Sequence, residues 1–152
     1  MDAETFGSFL WIMTLVAALV FIALYFVKAG YGMFRSAAWG LSVNNKLAWM
    51  LMEVPVFLVM IWMWWYSDRR FLPVQLTFFF FFQLHYFQRS FVFPCLLQGK
   101  GRMPVAILLM GVLFNVLNGF MQGEWIFYLS PADRYTSVSY THLRAHETLR
   151  HL

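Results

Sequence analysis

The chain has 152 residues, 61% of them hydrophobic and only 12% charged, far below the roughly 25% charge of an ordinary soluble domain. Its net charge of +4 comes without a basic cluster set among base-reading polar residues, which excludes nucleic-acid recognition and directs the cations toward anionic lipid headgroups. A single cysteine, Cys95, excludes an intrachain disulfide and reads as a small apolar filler in a helix.

Taken in chain order, the spans fall between the charges. A first segment runs from about Phe6 to Val27, with no charge between Glu4 and Lys28. At roughly 20 apolar residues it is long enough to cross a bilayer. Its acidic flank, Asp2 and Glu4, distinguishes it from a cleaved leader, which would carry a basic start and a small-residue cleavage site. A second segment lies between Lys46 and Asp68. A third follows Arg70 through LTFFFFFQLHYFQRSFVFPCLL, with Pro94 expected to bend or end it. A fourth lies between Arg102 and Glu124. Backbone groups in lipid must be satisfied within the chain, and strand alternation is absent. The expected fold is therefore all-α and polytopic: about four transmembrane helices over residues 1–136 joined by short loops. Lys28, Arg35 and Lys46 cluster after the first span, and Lys100 and Arg102 after the third. Positive charge favours the cytosol, so the N-terminus is expected outside or luminal.

From residue 137 the texture changes. VSYTHLRAHETLRHL is polar and holds His142, His146 and His151. His142 and His146 have the spacing of a helical metal pair, but a zinc site needs three or four ligands and no third is near. No metal site is expected. Residues 137–152 resemble translated read-through from a sequencing adapter or vector, and are set aside from fold reasoning.

Within the spans the polar residues stand out. LAWMLMEVPVFLVMIWMWW places one carboxylate, Glu53, in an apolar run. A charged group at mid-membrane costs on the order of 2.5–3.5 kcal/mol on insertion scales, so such a residue faces the bundle interior and marks function. In a dry site an acid of this kind can stay neutral and donate a hydrogen bond. In LHYFQRS, Tyr86 and Arg89 are three apart and His85 and Arg89 four apart, which puts them on one side of a helix. Asn115, Asn118 and Gln122 are amides of the sort that join membrane helices by hydrogen bonds. On these residues alone three classes stay open: an enzyme with a dry polar site, a proton- or ion-coupled transporter using the same groups as a relay, and a non-catalytic membrane subunit. The absence of a broken-helix repeat disfavours the transporter.

WGLSVNN, WMLMEVP, HYFQRSFVFP, the loop QGKGRMP and NGFMQ, in that order, resemble the steroid 5α-reductase (3-oxo-5α-steroid 4-dehydrogenase) family from about Trp39 to Gln122. The resemblance implies the N-terminal half of a seven-helix membrane oxidoreductase that moves hydride from NADPH to the β-carbon of a conjugated enone. It implies a steroid substrate, with a polyprenol or enoyl lipid as the alternative, and residence in the endoplasmic reticulum if the source is eukaryotic. In the family pattern Glu53 and Tyr86 hold the substrate's 3-oxo oxygen, and Arg89 and Asn118 are assigned to the cofactor's neighbourhood. Met52 stands where many members have glutamine. Most of the family's NADPH-binding residues belong to its C-terminal half, so the chain as given is expected to be an inactive fragment.

Overall fold

The computed structural model of the chain describes residues 1–26, 40–98 and 101–131. The segment 137–152 with its histidines, and the loop cations Lys28, Arg35 and Lys100, lie outside these residues.

Helix α1 (Ala3–Phe26) opens where the Asp2 carbonyl accepts the Phe6 N–H at 3.0 Å. A hydrogen bond from Thr5 holds the Asp2 carboxyl below its ordinary range. Among the described residues, the first turns of α1 are the part that meets the rest of the protein. Phe6 is stacked on Trp125 at 6.3 Å, Phe9 meets Phe120 edge-on at 6.0 Å, and the Met1 amine pairs with Glu124 at 2.8 Å. Beyond them Trp11, Leu15, Leu19 and Ile22 are exposed, a surface that only lipid or another apolar partner can cover favourably.

The chain re-enters at Gly40, whose φ of 73° is open to glycine at little cost. A short strand, β1 (Ser42–Asn44), pairs antiparallel with β2 (Arg102–Pro104). This ribbon is a small addition to the all-helical fold the sequence predicts. Three residues are too few for alternation to show in sequence, and the second strand is identified only by its partner. Each strand runs directly into a helix: β1 into α2 (Asn45–Tyr66) and β2 into α5 (Val105–Glu124). Asn44 caps α2 by accepting from the N–H groups of Lys46 and Leu47 at 2.9 and 3.4 Å. Arg102 donates to the hydroxyl and carbonyl of Ser42, pinning the ribbon.

Helices α2 and α5 leave the ribbon side by side and run parallel. Gly111, Gly119 and Gly123 of α5 meet Met52, Val56 with Val59, and Met63 of α2 in turn. Together with Asn115 these residues form a stripe of small or polar side chains every four positions, the spacing that lets membrane helices approach closely. Ala48, Val56, Met60 and Met63 of α2 are buried.

A turn of residues 67–72 reverses the chain into α3 (Pro73–Phe87), with Pro73 at the helix start, where its missing N–H costs nothing. Contacts between α2 and the third segment climb one helix as they descend the other: Trp64 with Phe79, Phe57 with Phe91, Trp49 with Phe93. The two are antiparallel neighbours. The third segment does not end at Pro94. It widens into a π turn over Gln88–Val92 and continues as α4 (Phe93–Leu96). Pro94 has no N–H for the carbonyl four residues back, and its ring crowds that carbonyl. The helix relieves this by widening one turn instead of breaking.

The expected count of about four spans is thus met with a distinction. Among the described residues three helical stretches, Ala3–Phe26, Asn45–Tyr66 and Val105–Leu129, are long and apolar enough to cross a membrane, and the fourth rod is the divided α3–α4. The protein is an integral, all-α polytopic membrane protein with one small ribbon.

The end of the bundle opposite the ribbon is closed by backbone acceptors. A second π turn, Trp125–Leu129, follows α5 and precedes Pro131, which cannot donate to the carbonyl of Phe127. Ser67 Oγ donates to that carbonyl at 3.2 Å, Arg69 donates to the Ser130 carbonyl at 2.7 Å, and Tyr128 donates to the Met63 carbonyl at 3.1 Å.

Candidate functional site

Glu53 lies on α2 about two turns above the ribbon and is 1% exposed. Its Oε1 accepts from Arg89 Nη2 at 2.6 Å. Arg89 sits inside the π turn, and its guanidinium also lies over the Trp49 ring, 5.7 Å from the centroid. The π turn is one reason the two meet. An extra residue in one turn rotates everything beyond it, and such turns recur at functional sites because they re-aim side chains.

Tyr86 is one turn earlier on α3 and half-buried between Phe82, at 4.6 Å, and His85, at 5.0 Å. Its phenol oxygen accepts from Asn118 Nδ2 of α5 at 2.9 Å. Tyr86, Glu53 and Arg89 lie within electrostatic reach of one another. Three helices therefore converge: α2 brings Glu53, the third segment brings Tyr86 and Arg89, and α5 brings Asn118.

The other singled-out residues separate. Asn115 is buried but points at the backbone, donating to the Met52 carbonyl at 2.8 Å. Gln122 and His85 are exposed. The sequence offered Arg89 and Asn118 as cofactor neighbours. Among the described residues, Arg89 is engaged by Glu53 and Asn118 by Tyr86.

Gln83 was not singled out. It donates to the Phe57 carbonyl at 3.3 Å, and its position one turn before Tyr86 on the same polar side was the available signal. Glu53 Oε2, Gln83 Oε1 and Ser90 Oγ are buried side-chain atoms with no hydrogen-bond partner among the described residues. All three lie where α2 meets the third segment. An unsatisfied buried polar atom costs about 1–3 kcal/mol, so three in one face mark a place that a polar ligand group or water fits. Chemically, the arrangement offers one carboxyl oxygen held by a guanidinium, a second carboxyl oxygen left over, and a phenol whose oxygen is gripped from behind. No group of three or more His, Cys, Asp or Glu among the described residues could hold a metal.

No protein-family model matches the chain. Individual relatives do. It is 31% identical over 135 residues to "Steroid 5-alpha-reductase DET2" of Gossypium hirsutum, a match covering 82% of this chain and 50% of that protein. It is 33% identical over 132 residues to "3-oxo-5-alpha-steroid 4-dehydrogenase 2" of Sus scrofa, covering 83% of this chain and 52% of the relative. To the Homo sapiens protein of that same name it is 34% identical over 134 residues, again covering 83% and 52%. The chain spans about half the length of the curated relatives it matches. Animal and plant steroid 5α-reductases thus match the chain over the stretch that carries all the converging residues, and the chain is similar to about half the length of each.

Proposed function

We propose that this chain forms the carbonyl-holding part of a membrane reductase that saturates the C=C bond of a conjugated enone, a 3-oxo-Δ4 steroid or a lipid of similar shape. One observation carries the reading: Glu53 Oε2 is buried without a partner among the described residues, close to a phenol whose oxygen accepts from Asn118. When the β-carbon of an enone is reduced, negative charge moves onto the ketone oxygen. Donors fixed in advance at that oxygen stabilise the enolate-like transition state. The Tyr86 hydroxyl supplies one such donor. Glu53 supplies a second once Oε2 takes up a proton as the substrate binds, Oε1 still accepting from Arg89. Arg89 then holds the carboxyl group in one orientation. The exposed apolar surfaces of the helices suit a substrate that arrives dissolved in lipid.

NADPH is the hydride source that the family resemblance suggests. The described residues do not make a site for it. A dinucleotide's phosphates call for several cations or backbone N–H groups. Here Arg89 is committed to Glu53, Arg102 to the ribbon, and Arg69 and Arg70 to carbonyls at the far end. The mechanism above is therefore confined to the ketone end of the reaction.

The test compares steroid turnover and NADPH affinity for Glu53→Leu and Tyr86→Phe in the complete reductase that carries this chain. Losing a preorganised oxyanion donor costs about 10²–10³ in rate. Each variant is expected to lose that much turnover while NADPH affinity stays within twofold. Near-normal turnover in both variants overturns the reading.

A further inference from the structure

Resting on that reading, we infer that Asn118 is a positioning residue: its amide fixes Tyr86 as a hydrogen-bond donor and aims the phenol proton at the substrate's ketone.

A phenol can either give or take a hydrogen bond, and a free rotor beside a carboxyl group would do both. Next to Glu53 the easiest course for Tyr86 would be to spend its proton on the acid, leaving nothing for a substrate. Asn118 meets the phenol from the other side. Asn118 Nδ2 donates to the phenol oxygen at 2.9 Å, so the amide occupies one acceptor direction of that oxygen. Among the described residues the Tyr86 hydroxyl donates to none. Its proton therefore has one open direction, away from α5. A donor feeding the phenol oxygen also polarises the O–H bond and makes it a stronger donor, an effect of roughly 10–30% per link in a hydrogen-bond chain.

The placement is backed by packing. Asn118 immediately precedes Gly119, where a Cβ would lie 3.2 Å from both Val56 and Val59. This is where α5 lies tight against α2, so the depth of Asn118 is set by helix contact. The Tyr86 ring is held at its own end by Phe82, 4.6 Å away. Both partners of the hydrogen bond are thus fixed by groups that do not touch the site.

The reverse polarity supplies the test. Asn118→Asp presents only acceptors, so it takes the phenol proton, whereas Asn118→Ala removes the contact. In the complete reductase in nanodiscs, with a 3-oxo-Δ4 steroid and NADPH, Asn118→Asp is expected to lose about as much kcat as Tyr86→Phe, and Asn118→Ala about tenfold. KM for NADPH should stay within twofold in both. The infrared band of a ¹³C-labelled 3-oxo group, lowered by hydrogen bonding in the wild type, should move back up in Asn118→Asp. If Asn118→Asp does not fold, the kcat of Asn118→Ala and its carbonyl band decide alone. The inference is overturned if Asn118→Ala keeps wild-type kcat and an unmoved carbonyl band, or if the loss falls on NADPH affinity. Should Tyr86→Phe and Glu53→Leu also keep full turnover, the proposed function falls with it. Should they lose turnover while Asn118→Ala does not, only the role of Asn118 is wrong.

Discussion

At the scale of single residues, the Glu53–Arg89 pair is asymmetric. The Glu53 side chain is 2% exposed and that of Arg89 43%, so the two lose unequally when separated. Removing Arg89 leaves a buried carboxyl group with no partner among the described residues on either oxygen. Arg89→Met is expected to destabilise the bundle by about 1–3 kcal/mol, readable as a lowered unfolding temperature in detergent. Glu53→Gln keeps a hydrogen-bonding oxygen for a half-exposed guanidinium and should cost less than Arg89→Met. Equal losses would mean that the pair contributes nothing beyond packing. Asn115 has a separate, structural effect. Its bond to the Met52 carbonyl should be worth about 0.6 kcal/mol, the usual worth of such a bond between membrane helices. Glu53 was legible in sequence because a lone acid in an apolar run is costly wherever it points. Its partner was not, because helical spacing relates Arg89 to Tyr86 and says nothing about the neighbouring helix. The roles of Asn115 and Asn118 were equally hidden: both read as interhelical amides, and only the direction of each side chain separates one that holds backbone from one that holds the phenol.

At the scale of elements, the α2–α5 contact makes a graded prediction. A Cβ at Gly119 meets two branched valines, each at 3.2 Å, and valine side chains are stiff. At Gly111 it meets Sδ and Cγ of Met52, and at Gly123 it lies 2.5 Å from the Met63 sulfur. Methionine is flexible and can move aside. Gly119→Ala should therefore destabilise most, by about 1–3 kcal/mol as overpacking does, with the two methionine-facing variants, Gly111→Ala and Gly123→Ala, costing less. Thermal unfolding of the three variants in one detergent checks the order, and a larger loss at Gly111 than at Gly119 contradicts it. The spans themselves were legible to within a few residues because charge bounds them: Glu4 before the first, Lys46 and Asp68 around the second. The π turn was not, since Pro94 announces a disturbance without saying whether the helix will bend, stop or widen. The ribbon escaped because each strand is too short to carry a pattern of its own.

At the scale of the molecule, the charges sort by end. The ribbon, Lys46 and Arg102 lie at one end. Met1, the 67–72 turn and the close of α5 lie at the other. We propose that the ribbon end faces the cytosol, as the excess of lysine and arginine in its loops suggests. A cysteine introduced at Ser42 should then be labelled only after sealed vesicles are opened, and one introduced at Asp68 should react from outside. The opposite pattern inverts the topology.

The pairing of Glu53 with Arg89 also bears on how the protein reaches its membrane. Both charges belong to consecutive segments joined by the short 67–72 turn, so they are made one shortly after the other. Each alone would resist entry into lipid by on the order of 2.5–3.5 kcal/mol. As a hairpin, α2 and the third segment can enter together with the two charges already neutralising each other. Asn118, on α5, arrives later and has no part in that step. Arg89→Leu should therefore lower the membrane-insertion efficiency of the isolated 40–98 hairpin in microsomes, even though leucine is the more apolar residue, and Glu53→Leu made together with it should restore insertion. If Arg89→Leu alone inserts better than the wild type, the two segments enter separately and the pair forms only afterwards.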